Sequence, residues 1–333
     1  MRAPDFWGAD GVLPAVLSPL SVAYLLAGRL RSALARPFEP QIPVICVGNL
    51  VAGGAGKTPV VLSLLALLGR RGFTAHALTR GYGGREAGPC EVDLSRHGAS
   101  EVGDEALLLA RAAPTWVARN RANGARAAVG AGAEVLVMDD GFQNPDLVKH
   151  LSLLVVDGSY GFGNARVLPA GPLREPIARG LARADAVILL GEDSWGIEAR
   201  VGSRVPILRA RLVPAQATME LEGVRVVAFA GIGRPEKFFD TLQDLGADLV
   251  ARHAFADHHR YIRAELAQLI AEAEATGARL VTTEKDAVRL PADLRDKIAA
   301  LPVELEWRDP GALEALLARL PGFAPPRERP GAA

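Results

Sequence analysis

Only two cysteines, Cys46 and Cys90, occur in 333 residues, far apart and in no metal-ligand spacing. That excludes a disulfide framework and a cysteine zinc knuckle, and it suits a reducing compartment. Net charge is missing too: 38 basic residues cancel 38 acidic ones. A duplex nucleic-acid reader with a basic face is thereby disfavoured, and no nucleic acid is expected as a partner. No internal repeat of fixed period is present. Apolar residues are plentiful at 49%, and the length allows two domains or one large domain with an addition.

A strongly apolar span is also lacking. Residues 11–28 carry no charge, and Leu13, Val16, Leu17, Leu20, Tyr24 and Ala27 fall near one helical face. Pro14, Ser18, Pro19 and Ser21 weaken the segment, whereas a crossing wants about 20 strongly apolar residues. A signal peptide carries its charge before the apolar run, but Arg29, Arg31 and Arg36 follow it here. Two readings stay open: an interfacial helix with trailing arginines, or an N-terminal helix docked on the core.

What is present is organised around Gly48-Asn49-Leu50-Val51-Ala52-Gly53-Gly54-Ala55-Gly56-Lys57-Thr58. Residues 42–47 before it read as a buried strand, and residues 59–68 after it as a helix with proline in its first turn. A glycine-rich loop between strand and helix lets backbone N–H groups converge on an anion, aided by the helix N-terminus. Lysine in such a loop reaches the β- and γ-phosphates, and threonine holds Mg²⁺. Gly53, Gly54, Ala55, Gly56, Lys57 and Thr58 are therefore the candidate nucleotide-binding residues. The strict G-x-x-x-x-G-K-[ST] pattern is not met, because Val51 stands where the first glycine belongs. The loop is a variant, and it points to a nucleoside triphosphate.

Strand and helix then alternate, as in a parallel α/β sheet. A strand at 74–79 ends in Arg80-Gly81-Tyr82-Gly83-Gly84, where open α/β sheets place ligands. Glu101-Val102-Gly103-Asp104-Glu105 opens an apolar helix, although acids at a helix start also merely complement its dipole. A strand at 135–138 runs into Asp139-Asp140-Gly141-Phe142-Gln143. An acid ending a strand opposite the loop threonine orders Mg²⁺ directly or through water. Residues 161–176, with Arg174 and Glu175, are rich in glycine and proline and read as an active-site loop.

Composition shifts at residues 206–223, read as a connector. Alternation restarts at 224, a helix at 312–320 closes a smaller domain, and the Pro/Gly/Arg-rich tail 321–333 is expected to be disordered. His253, His258 and His259 cluster in the smaller domain without cysteine and with one adjoining carboxylate. A single histidine facing a cleft is the better reading than a metal site. Thr283-Glu284-Lys285-Asp286 is ordered differently from the guanine-selecting [NT]-K-x-D, which counts against GTP.

Together these segments resemble the tetraacyldisaccharide 4′-kinase (lipid A 4′-kinase) family over nearly the whole chain. Its carriers are the loop from Gly48 to Pro59, Thr79-Arg80-Gly81-Tyr82-Gly83, Val102-Gly103-Asp104-Glu105 and Asp139-Asp140-Gly141-Phe142-Gln143. They continue with Leu168-Pro169-Ala170-Gly171-Pro172-Leu173-Arg174-Glu175, Phe255-Ala256-Asp257-His258 and Thr283-Glu284-Lys285-Asp286-Ala287-Val288-Arg289. One departure is Asn144, where the family usually has histidine.

The resemblance implies an α/β fold: a phosphate-loop domain with a mostly parallel sheet, plus a second, smaller α/β domain across a cleft. The expected divisions are an N-terminal membrane-associating helix (1–36), a kinase domain (37–205), the connector (206–223), the smaller domain (224–320) and the tail. It implies transfer of the γ-phosphoryl of ATP, with Mg²⁺, to the 4′-hydroxyl of a tetraacyl glucosamine disaccharide 1-phosphate, giving lipid IVA. It further implies peripheral attachment at the cytoplasmic face of the inner membrane. By resemblance Asp104 is the general base and His258 its partner from the other domain, with His259 as the alternative. Lys57 and the loop would hold the phosphates, and Thr58 with Asp139, Asp140 or Glu105 the metal. Arg80, Tyr82, Arg174 and Glu175 are candidate substrate or nucleotide contacts. The rival readings are a nucleotide-switch or metallochaperone-type ATPase and a membrane-associated binding module.

Overall fold

The computed structural model describes residues 4–215 and 220–323. In chain order its strands are β1 (Val44–Gly48), β2 (Ala75–Thr79), β3 (Cys90–Glu91), β4 (Thr115–Val117), β5 (Val135–Asp139), β6 (Leu151–Asp157) and β7 (Ala186–Leu190). They continue as β8 (Ile207–Pro214), β9 (Arg225–Ala230), β10 (Asp248–Ala254), β11 (Arg279–Thr283), β12 (Ala299–Leu301) and β13 (Val303–Trp307). Among the described residues nine strands form one sheet, ordered β13-β8-β7-β6-β1-β5-β2-β4-β3, and four form another, ordered β10-β9-β11-β12.

The large sheet is parallel except at its edges, where β13 and β3 run antiparallel to their neighbours. Its central strands carry unbroken apolar runs because both faces are covered. Ile45 and Val47 of β1 face Val60, Val61 and Leu64 of the helix Lys57–Arg70. Val44 and Cys46 point the other way, among Met138, Phe142 and Ala125. Burial pushes the Cys46 thiol up to about 11, which removes it as a nucleophile. The small sheet is likewise sandwiched, Phe238 and Leu242 packing on one face and Leu266 and Leu269 on the other.

The chain departs from the expected divisions at three places. Residues 207–214, whose 207–212 read as a short strand within a connector, are β8, paired in parallel with β7 inside the large sheet. The chain does not stay with the small sheet to residue 320, because β13 returns to pair with β8, Val303 opposite Pro214. The helix Pro310–Leu317 then buries Leu313, Leu316 and Leu317 in the core under the large sheet. Without this return β8 would be an unpaired edge, and Glu304 and Glu306 of β13 now face solvent there. The third departure is Phe323, within the expected tail, which is buried and stacks on Phe73 with centroids 4.2 Å apart. Residues 324–333 of that tail lie outside the described residues.

The N-terminal helix runs from Val12 to Leu34, longer than the uncharged stretch suggested. Among the described residues it is the one helix long and apolar enough to cross a membrane. Only Pro14 and Ser21 are buried on it, with Ser21 Oγ donating to the Val167 carbonyl at 2.7 Å. Arg166 pins its first turns through Ser18 (3.1 Å) and Asp10 (2.8 Å). Val16, Leu20, Val22, Leu26 and Leu30 are all more than half exposed.

Candidate active site

The phosphate loop leaves β1, the strand flanked by β5 and β6, where the order of connections switches sides. Gly56 stands at the start of the helix Lys57–Arg70 with φ +76, and a Cβ there would come 2.5 Å from Leu190 Cδ1. The positive φ favours glycine there, and any larger residue would also have to push the Leu190 side chain aside. Val51, the departure from the strict pattern, is buried and forms a bridge with Leu173, flanked by Ala52 N–H donating to the Pro172 carbonyl at 2.8 Å. The loop is thus stitched to the 168–176 segment, and an apolar residue serves there better than glycine.

Asp139 ends β5 opposite Val47 of β1. It is 2% exposed, and its Oδ1 has no hydrogen-bond partner among the described residues. Burial, then the nearby Glu105 carboxylate, pushes its carboxyl up to about 7 despite Lys57. Asp140 adopts φ +51 and turns to Lys57, 3.7 Å away, and to Arg174. Arg174 grips it with both ends of the guanidinium, at 2.8 and 3.2 Å. Burial raises the Asp140 carboxyl, but Lys57 and Arg174 outweigh it and leave it below the ordinary carboxylate range.

The stretch 101–105, expected to open one apolar helix, is divided between two. Gly103, at φ +86, separates Ala99–Val102 from Asp104–Ala110, and a Cβ on it would strike the Tyr82 carbonyl. The break lets the helix start press against the 80–84 turn, with Asp104 buried at its tip. His258 Nδ1 lies 3.0 Å from Asp104 Oδ2, reaching over from the small-sheet side. His258 holds φ +59, a left-handed conformation. Burial raises the Asp104 carboxyl, yet His258, Lys285 and Arg289 together hold it well below the carboxylate range. His259 turns away: it pairs with Glu265 at 3.0 Å and stacks on Phe255.

Other candidates sort by geometry. Tyr82 is exposed with its ring edge-on to His258, centroids 5.5 Å apart, and Arg80 is exposed on the same turn. Thr58 is half-buried. Glu105 pairs with Lys285 at 3.3 Å. Glu175 is buried, and Arg183 (2.5 Å) and Gln143 (3.2 Å) take its carboxylate. Gln143 also donates to the Asn49 carbonyl at 2.9 Å, so this trio braces the loop. Asn144 accepts from Asp146 N–H at 3.0 Å and donates to its carboxylate, touching neither Asp139 nor Asp140.

Arg289, Lys285, Asp257 and Arg121 were not assigned roles from sequence. Lys285 Nζ lies 3.3 Å from both Glu105 and His258 Nε2. Asp257 lines a cleft together with Gly53, Gly54, Asp157, Tyr160 and Arg234. Arg234, from the small-sheet side, crosses it to Asp157 at 2.6 Å. Arg121 is buried beside Asp139 and Asp140, its guanidinium lowered to about 10, first by burial.

A phosphate loop on the central strand of a parallel sheet, faced by an acid on the neighbouring strand, defines a phosphate-loop nucleotide-binding fold. The family model for tetraacyldisaccharide-1-P 4′-kinase matches residues 13–321. The tetraacyldisaccharide 4′-kinase of Rhodospirillum centenum is 61% identical, covering 96% of this chain and 97% of that one. That of Paramagnetospirillum magneticum is 56% identical, covering 96% and 99%. The solved structure of LpxK from Aquifex aeolicus in complex with ATP is 26% identical with a TM-score of 0.76, covering 92% of this chain and 99% of that one. The chain belongs to the tetraacyldisaccharide 4′-kinase family. It is a kinase, a phosphotransferase.

Proposed function

We propose that the chain transfers the γ-phosphoryl of ATP to the 4′-hydroxyl of a tetraacyl glucosamine disaccharide 1-phosphate, forming lipid IVA in lipid A biosynthesis. One observation carries the placement of the chemistry. Glu105 adjoins Asp104 in sequence, its charge acts on Asp139 beside the phosphate loop, and it pairs with Lys285 beside His258. Asp257, next to His258 in sequence, lines the cleft of Gly53 and Gly54, which supports reading the nucleotide end and the Asp104–His258 pair as parts of one site.

In this reading Lys57 and the amides of Gly53–Gly56 grip the β- and γ-phosphates. The partnerless, buried Asp139 Oδ1 fits a divalent cation, which would satisfy it. The described residues hold no group of three acids, histidines or cysteines that would cage a metal alone. Mg²⁺ does not ask for one, since it binds through one or two carboxylates plus phosphates and water. Thr58 and Asp139 would hold it, with Asp140 or Glu105 as a further acid, and when bound it neutralises charge on the phosphates. Asp104 accepts the hydroxyl proton while His258 orients it. Asp140, held by Arg174, keeps Lys57 aimed at the phosphates. Tyr82, edge-on to His258, and Arg80 on the same exposed turn would meet the sugar.

Membrane attachment belongs to the same reading. The exposed apolar side of the helix Val12–Leu34 enters the acyl boundary, and Arg29, Arg31 and Arg36 stay with anionic headgroups. The site then works at the cytoplasmic face of the inner membrane. The test is to incubate the protein with ATP and Mg²⁺, with and without the lipid disaccharide, and follow lipid mass and ATP loss. Phosphate appearing on the lipid supports the kinase. ATP loss unchanged by lipid, with no lipid product, supports the nucleotide-switch reading.

A further inference from the structure

Asp104 is gripped from the opposite side of the cleft by a second residue besides His258. Arg289 Nε donates to Asp104 Oδ2 at 2.9 Å, and Nη2 contacts the same oxygen. Its remaining end-nitrogen, Nη1, donates to the Gly231 carbonyl at 2.9 Å and to Asp286 Oδ1 at 2.8 Å. The Arg289 side chain is 5% exposed. A guanidinium offers five donors in a fixed plane, so where it sits dictates where its partners sit.

Its position is set entirely by the small-sheet side. Asp286 is fully buried and accepts from the Gly231 N–H at 3.1 Å, the Tyr261 hydroxyl at 2.8 Å and the Thr283 hydroxyl at 2.6 Å. Gly231 thus meets Asp286 with its N–H and Arg289 with its carbonyl. Arg289 follows Asp286 by three residues, in the turn that ends the helix Glu284–Ala287, and its N–H donates to the Asp286 carbonyl at 2.9 Å. Asp104 belongs to the helix Asp104–Ala110, whose Ala106 and Leu107 pack with Val117 of the large sheet and with Val288, the residue before Arg289.

We propose that Arg289 is the positioning residue of the phosphoryl transfer, an arginine that transmits the placement of the Tyr261–Asp286–Gly231 cluster to the Asp104 carboxylate across the cleft. It loads Oδ2, which also takes His258. Among the described residues Oδ1 receives only the Glu105 N–H, at 3.1 Å. Oδ1 is therefore the oxygen left to accept the sugar hydroxyl. Arg289 touches neither substrate in this arrangement and acts through Asp104.

The inference rests on Asp104 being the base, and the experiment separates the two ideas. Four purified variants, Arg289→Lys, Arg289→Ala, Asp104→Asn and the double Arg289→Lys/Asp104→Asn, are assayed for kcat and for KM of ATP and of lipid disaccharide in micelles. Lysine keeps the buried charge but cannot span Asp104, Gly231 and Asp286 together. Arg289→Lys should lower kcat on the order of 10²-fold, as misplacement of a reacting group does, with KM for ATP nearly unchanged. Added methylguanidinium should restore part of the loss in Arg289→Ala, and the double variant should be little worse than Asp104→Asn. Wild-type kcat in Arg289→Lys overturns the proposal. So does a loss confined to KM, or an Arg289→Lys protein that no longer melts cooperatively. An active Asp104→Asn overturns the underlying reading instead.

Discussion

His258 Nδ1 and Asp104 Oδ2 lie 3.0 Å apart although 154 residues separate them and each is carried by a different sheet. Neither side alone holds the pair. Asp104→Asn and His258→Ala should each lower kcat steeply while leaving ATP affinity near wild type. Acting as one unit, they should lose little more together than singly. Fully multiplicative losses in the double variant would show that the two act independently.

Lys57→Ala removes the loop cation that pairs with Asp140 at 3.7 Å and, in the proposed mechanism, the charge that meets the transferring phosphoryl. Turnover should fall roughly 10²-fold or more, comparable to deleting an oxyanion donor. Circular dichroism should show an intact fold. Near-normal turnover would remove the loop from the triphosphate site.

Asp139→Asn should make the ligand-free protein more stable and less active. The native carboxyl is pushed up to about 7, above the unfolded value of about 4. The native state therefore binds the extra proton, and its stability falls as pH rises between those two values. Melting temperatures of wild type and variant should coincide near pH 4, diverge up to about pH 7 and then run parallel. Equal melting curves at pH 8 would contradict an uncompensated buried carboxylate.

Asn144→His should leave activity in place, because Asn144 caps its own turn through Asp146. Lys149, which donates to the carbonyls of Phe142 and Asn144 at 3.0 and 2.7 Å, holds that turn independently of the side chain. A steep rise in activity with a new titration between about pH 6 and 7 would instead reveal a proton-carrying role at this position.

Leu20→Glu with Leu26→Glu places charge on the exposed side of the N-terminal helix, away from buried Pro14 and Ser21. Phosphorylation of vesicle-borne lipid should slow several-fold, since charge opposes burial at the acyl boundary. Rates on micellar lipid and the melting temperature should hold. Equal losses in vesicles and micelles would mean the helix serves the fold rather than the membrane.

The phosphate loop and the acid at the end of β5 were legible because buried parallel strands leave unbroken apolar runs, and Gly-Lys-Thr marks the turn between strand and helix. The break at Gly103 was hidden, since its cause is the Tyr82 carbonyl some twenty residues earlier in the chain. Arg174 and Glu175 looked alike in one loop, yet neighbouring side chains diverge, one to Asp140 and the other to Arg183. Arg289 stood in plain view within a motif, but its reach depends on a helical turn and on a partner from another sheet. β8 read as a connector because its partner β13 lies beyond the whole small sheet, and long-range pairing leaves no local pattern.

That last pairing has a mechanical consequence. The small sheet leaves the large one after β8 and rejoins it at β13, with Pro214 and Val303 directly opposed. The last residue of β8 and the first of β13 thus lie side by side near one edge of the large sheet, whereas Asp104 is carried beside β4 near the other edge. The contacts of His258 and Arg289 with Asp104 therefore latch the small sheet at a second point, on the far side of β1 and its phosphate loop from the first.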